Sequence, residues 1–239
     1  MKPVDLVYPL NKLCSHWRNQ ELRYSLRSVE KFVKNYRNIY LIGDKPVYVN
    51  DNIAHIQHED SPLYCKERRI MEKFKFACSI DEISDKFVML NDDYFFVKEV
   101  DVQNLPYYHK GELLGSIKKQ RGLYRTSLEN TYNVLLERGL NIGHFDLHYP
   151  CMYDKKLFPE VMEQYDWTIK AGYVVKSLYC NTLGTKGKYR HDCKISRTHD
   201  RAEVLSQIDG FDMFSTADMT RAIISVIFDM YPEPSSFEK

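Results

Sequence analysis

The stretch that decides the fold is KFVMLNDDYFFVKEV, residues 86–100. It begins as an apolar run typical of a buried strand, is interrupted by Asn91, Asp92 and Asp93, and resumes with aromatic and β-branched residues. Burying an unpaired carboxylate costs several kcal/mol. The two adjacent aspartates therefore indicate a place where the strand ends and another group meets them.

Strands and helices alternate around this stretch. The sequence predicts strands in VDLVY (4–8), NIYLIGD (38–44) and AHIQHED (54–60), and amphipathic helices in residues 21–36 and 66–80. KFVML then forms a fourth strand. This alternation favours a parallel α/β sheet with right-handed crossovers.

The second half of the chain gives weaker signals. Helices are predicted near residues 127–138, 155–165 and 216–230, and the polar segment 184–201 is predicted to be a mobile loop. Neither repeats nor low-complexity linkers divide the sequence, so we expect a single domain over residues 1–239.

Composition narrows the function classes. The 239 residues are 44% hydrophobic, which is enough for a sizeable core, and the net charge of +1 gives no bulk field for nucleic acid or an anionic membrane. No stretch approaches the ~18 apolar residues of a membrane span, so a cytoplasmic protein is expected. The six cysteines show no C-x-x-C pair, which favours free thiols, and HDC (191–193) is too short a signal for a metal site.

The acidic pair follows the carboxyl end of the fourth predicted strand. In open parallel sheets, ligands bind beyond the carboxyl ends of the strands, where Asp92 and Asp93 lie. Two carboxylates suit Mg²⁺ or Mn²⁺ bridging a diphosphate, because such ions combine a few carboxylates with substrate phosphates. A plain turn or a helix cap is the alternative.

Several blocks resemble the Stealth family of bacterial capsule hexose-1-phosphate transferases, which includes the catalytic subunit of animal N-acetylglucosamine-1-phosphotransferase. The longest match joins residues 19–44 to FVMLNDDYFF (87–96), as in the second Stealth block. VDLVYPLN (4–11), HYPCMYDKKLF (148–158) and MYPEPSSFEK (230–239) are similar to the first, third and closing blocks, in the same order.

The resemblance implies a Rossmann-like, glycosyltransferase A-like sheet with flanking helices. It also implies transfer of sugar-1-phosphate from a nucleotide sugar, expected to be a UDP-sugar, to a hydroxyl of a glycan or other acceptor. Asp92 and Asp93 match the family's acidic pair and would hold the ion, and Asp93 would serve catalysis. His148 matches a third-block histidine, a residue type suited to proton transfer near neutral pH. Asn11 matches a residue near the nucleotide.

Basic residues supply candidate phosphate ligands. Arg23 and Arg27 lie one helical turn apart, so one is placed to grip a phosphate while the other pairs with Glu30. A solvated helix face is the alternative. Lys170 stands in DWTIKAGYVVKSLYC (166–180), where the family has an Arg-Ser-x-x-Asp-like segment. Lys is a point charge, so phosphate recognition there would differ.

Two other functions stay open. An ordinary metal-dependent glycosyltransferase would keep the fold and the ion but move the sugar itself; a phage-encoded enzyme acting on modified DNA or a surface glycan belongs with it. A nucleic-acid acceptor has no support from the net charge. A catalytically silent sugar- or nucleic-acid-binding module would use the basic residues and the tyrosine of KGKYRHDCKISR (186–197).

Overall fold

A computed structural model of the protein describes residues 2–11, 17, 19–216 and 218–239. Its strands are β1 (Val4–Leu10), β2 (Val33–Lys34), β3 (Ile39–Gly43), β4 (Ala54–Ile56), β5 (Lys86–Met89), β6 (Tyr94–Phe96), β7 (Val100–Asp101), β8 (Tyr108–His109), β9 (Cys151–Asp154), β10 (Lys188–Tyr189), β11 (Lys194–Ile195) and β12 (Met213–Thr216). Its α-helices are α1 (Gln20–Phe32), α2 (Lys66–Cys78), α3 (Leu113–Ile117), α4 (Gly122–Glu137), α5 (Leu157–Met162), α6 (Val175–Thr182), α7 (Arg201–Ile208) and α8 (Arg221–Met230).

The central sheet has the strand order β4-β3-β1-β5-β9. β4, β3, β1 and β5 are parallel, and β9 runs antiparallel at the edge. The parallel strands are those that the sequence predicts, and helices flank the sheet. The expected α/β, Rossmann-like fold is therefore confirmed.

Both faces of the sheet are buried, which explains the nearly continuous apolar runs in β1 and β3. One face packs against α2, α4, α5 and α6, with Phe87 and Tyr153 in the shared core. The opposite face packs against α1 through Leu22, Leu26 and Val29. Each of these fully buried large side chains contributes roughly 1.5–3 kcal/mol to folding.

Gly43 closes β3 against the end of β1. Its φ is 113°, and a Cβ there would lie 2.0 Å from the carbonyl oxygen of Leu10. Only glycine fits where these two paired strands come so close together. This contact fixes the end of β1, which Asn11 follows.

The predicted helix 21–36 is too long at its carboxyl end. Helix α1 ends at Phe32, and Val33 and Lys34 form β2, which pairs in parallel with β7. Asn35 then adopts a left-handed conformation with φ 64°. The periodicity continued through this turn because buried Val33 faces the same core as the helix.

The later helices also differ from their predicted bounds. Helix α4 begins at Gly122, ahead of the predicted residue 127, and α5 ends at Met162. The predicted helix 216–230 is shorter, because residues 213–216 form β12 and the Thr220 side chain caps α8 by accepting a hydrogen bond from the backbone N–H of Ile223.

The segment 184–201, predicted to be a mobile loop, is only in part a loop. The segment forms β10 and β11, and Cys193 between them is buried. Arg190 anchors it, since its Nη2 lies 2.9 Å from an Asp212 carboxylate oxygen and its guanidinium covers the rings of Tyr108 and Tyr149. Polar composition concealed these long-range pairings.

A second sheet, in the order β11-β12-β6, explains why the sequence resumes as Tyr-Phe-Phe after the aspartates. β6 leaves the central sheet and pairs antiparallel with β12, which pairs in parallel with β11. The acidic pair therefore lies at the junction of the two sheets.

Within the described ranges, no helix combines the length and the hydropathy that crossing a bilayer requires.

Free thiols are found at Cys65, Cys78, Cys151, Cys180 and Cys193. Cys14 lies outside the described residues.

Candidate functional site

The acidic pair lies where the sequence predicts, beyond the carboxyl end of β5 and immediately before β6. Asp93 is held by the second sheet, because Ser215 of β12 donates a 2.6 Å hydrogen bond from its Oγ to Asp93 Oδ2. Both carboxyl groups are half-buried. The two aspartates form a turn, in which the backbone N–H of Tyr94 donates a 3.2 Å hydrogen bond to the carbonyl of Asn91. The turn that the sequence offered as an alternative is therefore present, and the role of the two carboxylates as ion ligands stays a prediction.

Asp92 lies in an electrostatically unfavourable place. Burial raises the pKa of its carboxyl from 3.8 to about 7, and the neighbouring Asp93 and Glu21 add to this effect. Hydrogen bonds from backbone N–H groups offset only part of it. Such a carboxyl favours either a proton or a cation beside it.

The donor set fits an ion that takes the rest of its ligands from elsewhere. Among the described residues, no group of three or more His, Cys, Asp or Glu side chains is arranged to hold a metal. A pair of carboxylates that shares an ion with substrate phosphates and water is the usual arrangement for Mg²⁺. Asp92 and Asp93 are therefore the residues that would hold the predicted Mg²⁺ or Mn²⁺.

Asn11 follows β1, the neighbour of β5, and so lies at the same edge of the sheet. Lys73 of α2 donates hydrogen bonds from its Nζ to Asn11 Oδ1 and, at 3.0 Å, to Asp60 Oδ2. Lys73 is only 3% exposed. Because an ammonium group only donates, it fixes the orientation of the Asn11 amide.

Arg23 lies between Tyr48 and Glu238. Its guanidinium lies 4.2 Å from the ring centre of Tyr48, whose burial raises the pKa of the phenol while Arg23 lowers it and Asp92 raises it further. Arg23 Nε also lies 3.3 Å from a carboxylate oxygen of Glu238. The role of Arg23 as a donor ligand stays a prediction.

Arg27 has a different environment. Its Nε and Nη2 donate to the Glu238 carboxylate at 2.6 and 2.9 Å, and its Nη1 donates to the carbonyl of Tyr231 at 2.9 Å. The predicted pairing of an arginine with Glu30 is wrong, since Glu30 accepts hydrogen bonds from Ser236. These contacts join α1 to the C-terminal segment.

His148 lies in a cluster of charged groups. Its backbone N–H donates to Asp192 Oδ1 at 2.9 Å, and its Nδ1 lies 3.1 and 3.2 Å from the two oxygens of the same carboxylate. Its Nε2 lies 3.3 Å from Lys194 Nζ. Lys110 Nζ forms an ion pair with Asp192 at 2.8 Å.

The second sheet links Asp93 to His148 through a chain of contacts. Ser215, which binds Asp93, is paired in register with Tyr94 on one side and with Lys194 on the other. Lys194 in turn contacts His148. The sheet therefore connects the two predicted catalytic residues across adjacent strands.

Lys170 lies in the turn between α5 and α6 with its side chain exposed. Its backbone carbonyl accepts a 2.9 Å hydrogen bond from Asn130 Nδ2. In the described part of the chain, no hydrogen bond or ion pair connects its ammonium group to the other predicted site residues. The structure does not bring it into the cluster.

Sequence reasoning missed three members of the site. Asp192 and Lys194 belong to the segment 184–201, which the sequence predicts to be a loop, and Ser215 belongs to β12, which the sequence does not predict. The HDC triplet at 191–193 is a local signal there, but it is too short to predict a site. The rest depends on pairing between distant strands.

Asp146, a further titratable residue, lies two residues before His148, and His144 lies two residues before Asp146. Tyr124 donates a 2.6 Å hydrogen bond to Asp146 Oδ2, and Ser116 Oγ lies 2.6 Å from His144 Nδ1. Burial lowers the pKa of His144 to about 4, so this imidazole is neutral at physiological pH. Tyr124 and Ser116 thus hold the side chains of Asp146 and His144 in place.

Part of the chain matches known proteins in sequence. Residues 16–113 match the family described as Stealth protein CR2, conserved region 2. The N-acetylglucosamine-1-phosphotransferase subunits alpha/beta of Mus musculus and of Homo sapiens are each 35% identical over 104 residues, which cover 39% of this chain. The matched region spans 8% of the length of those relatives.

The fold has solved counterparts as well. A crystal structure of galactosyltransferase LgtC in complex with donor and acceptor sugar analogs superposes with a TM-score of 0.53, at 12% identity, over 98% of this chain and 97% of that one. An active-site mutant of LgtC gives a TM-score of 0.52 at the same identity and coverage. At this identity the likeness concerns the fold alone. Residues 16–113 thus match the second conserved region of the Stealth family, on a fold shared with a glycosyltransferase, and this match confirms the resemblance found in the sequence.

Proposed function

We propose that the protein is a transferase that uses a nucleotide-sugar donor and a divalent cation to move sugar-1-phosphate to an acceptor hydroxyl. The single observation that carries the proposal is the acidic pair at the junction of the sheets. Asp92 and Asp93 stand beyond the carboxyl end of β5, and the pKa of Asp92 is raised to about 7 by burial and by like charge. A cation between these carboxylates and a diphosphate would relieve that repulsion.

The donor would lie across the carboxyl ends of β1 and β5. Asn11 is oriented there by Lys73, and Arg23, whose guanidinium lies over the ring of Tyr48, is the proposed cation on the donor side. Arg27 and Lys170 remain predictions as donor ligands, since the first is bound to Glu238 and the second stands apart. A UDP-sugar is the proposed donor. When bound, Mg²⁺ or Mn²⁺ would neutralise charge on the diphosphate.

His148 would remove the proton from the acceptor hydroxyl. It lies on the far side of Ser215 from Asp93, and its Nε2 faces Lys194, which is exposed. An acceptor that approaches from solvent would meet Nε2 before it reached the acidic pair. Glycan hydroxyls fit this position better than nucleic acid, because the net charge of +1 provides little attraction for a polyanion.

Transfer of the sugar itself is the second candidate. It is favoured by the fold, which is shared with a galactosyltransferase over nearly the whole chain. Both reactions would use the same cation and donor. They differ in which bond breaks: the bond from the sugar-linked phosphorus to the bridging anhydride oxygen for sugar-1-phosphate transfer, or the bond from the sugar carbon to the phosphate oxygen for glycosyl transfer.

The nucleotide product separates the two reactions. The protein is incubated with Mn²⁺, a panel of UDP-sugars and oligosaccharide acceptors, and the spent nucleotide is identified by chromatography. Release of UMP, with phosphorus retained in the product, supports sugar-1-phosphate transfer. Release of UDP with a phosphorus-free product contradicts it and supports glycosyl transfer. Asp93→Asn is the matched control, since it keeps the size of the side chain and removes its charge.

A further inference from the structure

The carboxylate of Asp192 contacts both the backbone and the ring of His148. It accepts from the backbone N–H of His148 at 2.9 Å and faces His148 Nδ1 with both oxygens, at 3.1 and 3.2 Å. Cys193, the next residue, donates from its Sγ to the carbonyl oxygen of His148 at 2.7 Å. Backbone and ring of His148 are thus fixed by the same two residues.

The partners of the ring determine where its proton lies. An ionised carboxylate only accepts hydrogen bonds, so Nδ1 must carry the hydrogen that faces Asp192. An ammonium group only donates, so Nε2 must present its lone pair to Lys194, 3.3 Å away. The two contacts are independent, and they specify the same tautomer.

Asp192 stays ionised in this setting. Burial alone would raise the pKa of its carboxyl, but the hydrogen bond and charge of His148, together with the charge of Lys110, hold that pKa well below its ordinary value. Lys110 Nζ lies 2.8 Å from Asp192 Oδ2. The group that faces Nδ1 is therefore an acceptor throughout the physiological pH range.

We propose that Asp192 is a positioning residue, which holds His148 as the Nδ1–H tautomer so that Nε2 can act as the base toward the acceptor. The inference rests on the proposed function and deepens it. In the step, the acceptor O–H bond breaks and its proton passes to Nε2. The acceptor oxygen forms a bond to the sugar-linked phosphorus, and the bond to the departing nucleoside monophosphate breaks. The carboxylate stabilises the imidazolium that results.

The test is isosteric. Asp192→Asn replaces one acceptor oxygen with an NH₂ donor, which can face Nδ1 and shift the ring hydrogen to Nε2. Nitrogen NMR of the protein labelled with ¹⁵N-histidine reports the protonation of both ring nitrogens, and His148→Ala assigns the signals. Lys110→Met is the matched control, because it removes the other partner of Asp192 and leaves its contact with His148.

We expect the neutral ring of His148 to be protonated at Nδ1 in the parent protein and in Lys110→Met, and to be protonated at Nε2 in a measurable fraction of Asp192→Asn. An Nε2-protonated ring in the parent protein, or identical ring shifts in Asp192→Asn, would overturn the assignment. Neither outcome depends on knowing the substrate.

Kinetics connects the tautomer to the reaction. With Mn²⁺ and the UDP-sugar that the parent protein turns over, Asp192→Asn should lower kcat by ~10²–10⁴ and leave KM for the donor nearly unchanged. A rise in KM with kcat unchanged would contradict the positioning role. If the parent protein turns over no nucleotide sugar while the tautomer shifts as expected, the proposed transfer fails and the structural assignment of Asp192 stands.

Discussion

Asp92→Asn should make the metal-free protein more stable at neutral and alkaline pH. A carboxyl whose pKa rises from 3.8 to about 7 on folding is harder to ionise in the folded state than in the unfolded one. Above both values this difference amounts to about 4 kcal/mol in favour of unfolding. The asparagine carries no charge, so the penalty disappears in the variant.

The pH dependence has a defined sign. As pH rises from about 4 to about 7, the unfolded chain loses the Asp92 proton first, so the free energy of unfolding of the parent protein falls. The penalty is complete above about pH 7 and absent below about pH 4. The advantage of Asp92→Asn should therefore be largest near pH 8 and fall by half or more near pH 5.

The measured gain should be smaller than the full 4 kcal/mol, at about 1–3 kcal/mol, because an amide satisfies the backbone N–H donors less well than a carboxylate does. Urea unfolding followed by circular dichroism, in EDTA at both pH values, measures it. Asp81→Asn, at an exposed aspartate in the turn between α2 and β5, is the control and should change stability little. Equal stability of Asp92→Asn and the parent protein near pH 8 would refute the electrostatic account of the site.

Other variants test separate parts of the structure. His148→Ala should keep donor binding in calorimetry and lower turnover by ~10²–10⁴, and a loss of donor binding would make it a phosphate ligand instead. Glu238→Ala removes the counter-charge of the α1 guanidinium groups, and because the Glu238 side chain is only 6% exposed, the loss should cost about 3 kcal/mol and lower Tm by roughly 6–12 °C. Glu233→Ala, at an exposed residue, is the control and should leave Tm unchanged. Equal Tm values for the two variants would contradict a stabilising contact between α1 and the C-terminal segment. Gly43→Ala places a Cβ 2.0 Å from the Leu10 carbonyl oxygen and should lower the free energy of unfolding in urea by at least about 3 kcal/mol. A near-neutral result would show that β1 and β3 can move apart at their ends.

The central sheet could be predicted from the sequence because its signals are local. β1, β3 and β5 are buried on both faces, so each is written as a short apolar run. The helices between them carry a clear periodicity, and the alternation itself specifies parallel pairing. The place of Asp92 and Asp93 beyond β5 follows directly.

The second sheet could not be predicted in this way. β6, β11 and β12 are short, and β12 lies more than a hundred residues from β6. Nothing in a strand of two to four residues specifies such a distant partner, and these pairings create the contacts of Ser215 and Lys194 with the predicted site. The apolar residues after Asp93 were a signal of a further strand, without information on its partner.

The arginines of α1 show how tertiary contacts override local spacing. Arg27 and Glu30 are three residues apart, a spacing that favours an ion pair on a helix surface. In the structure, Glu238 binds Arg27 with two hydrogen bonds and also lies near Arg23. A buried carboxylate with several donors is a stronger partner than an exposed neighbour on the same helix.

The most direct test of the central claim is calorimetric titration of nucleoside diphosphates into the parent protein and Asp93→Asn, with and without Mn²⁺. If Asp92 and Asp93 hold a cation against a diphosphate, the parent protein should bind UDP only when Mn²⁺ is present, and Asp93→Asn should fold normally and lose that binding. UDP binding of equal strength in EDTA, or undiminished Mn²⁺-dependent binding by Asp93→Asn, would contradict the account.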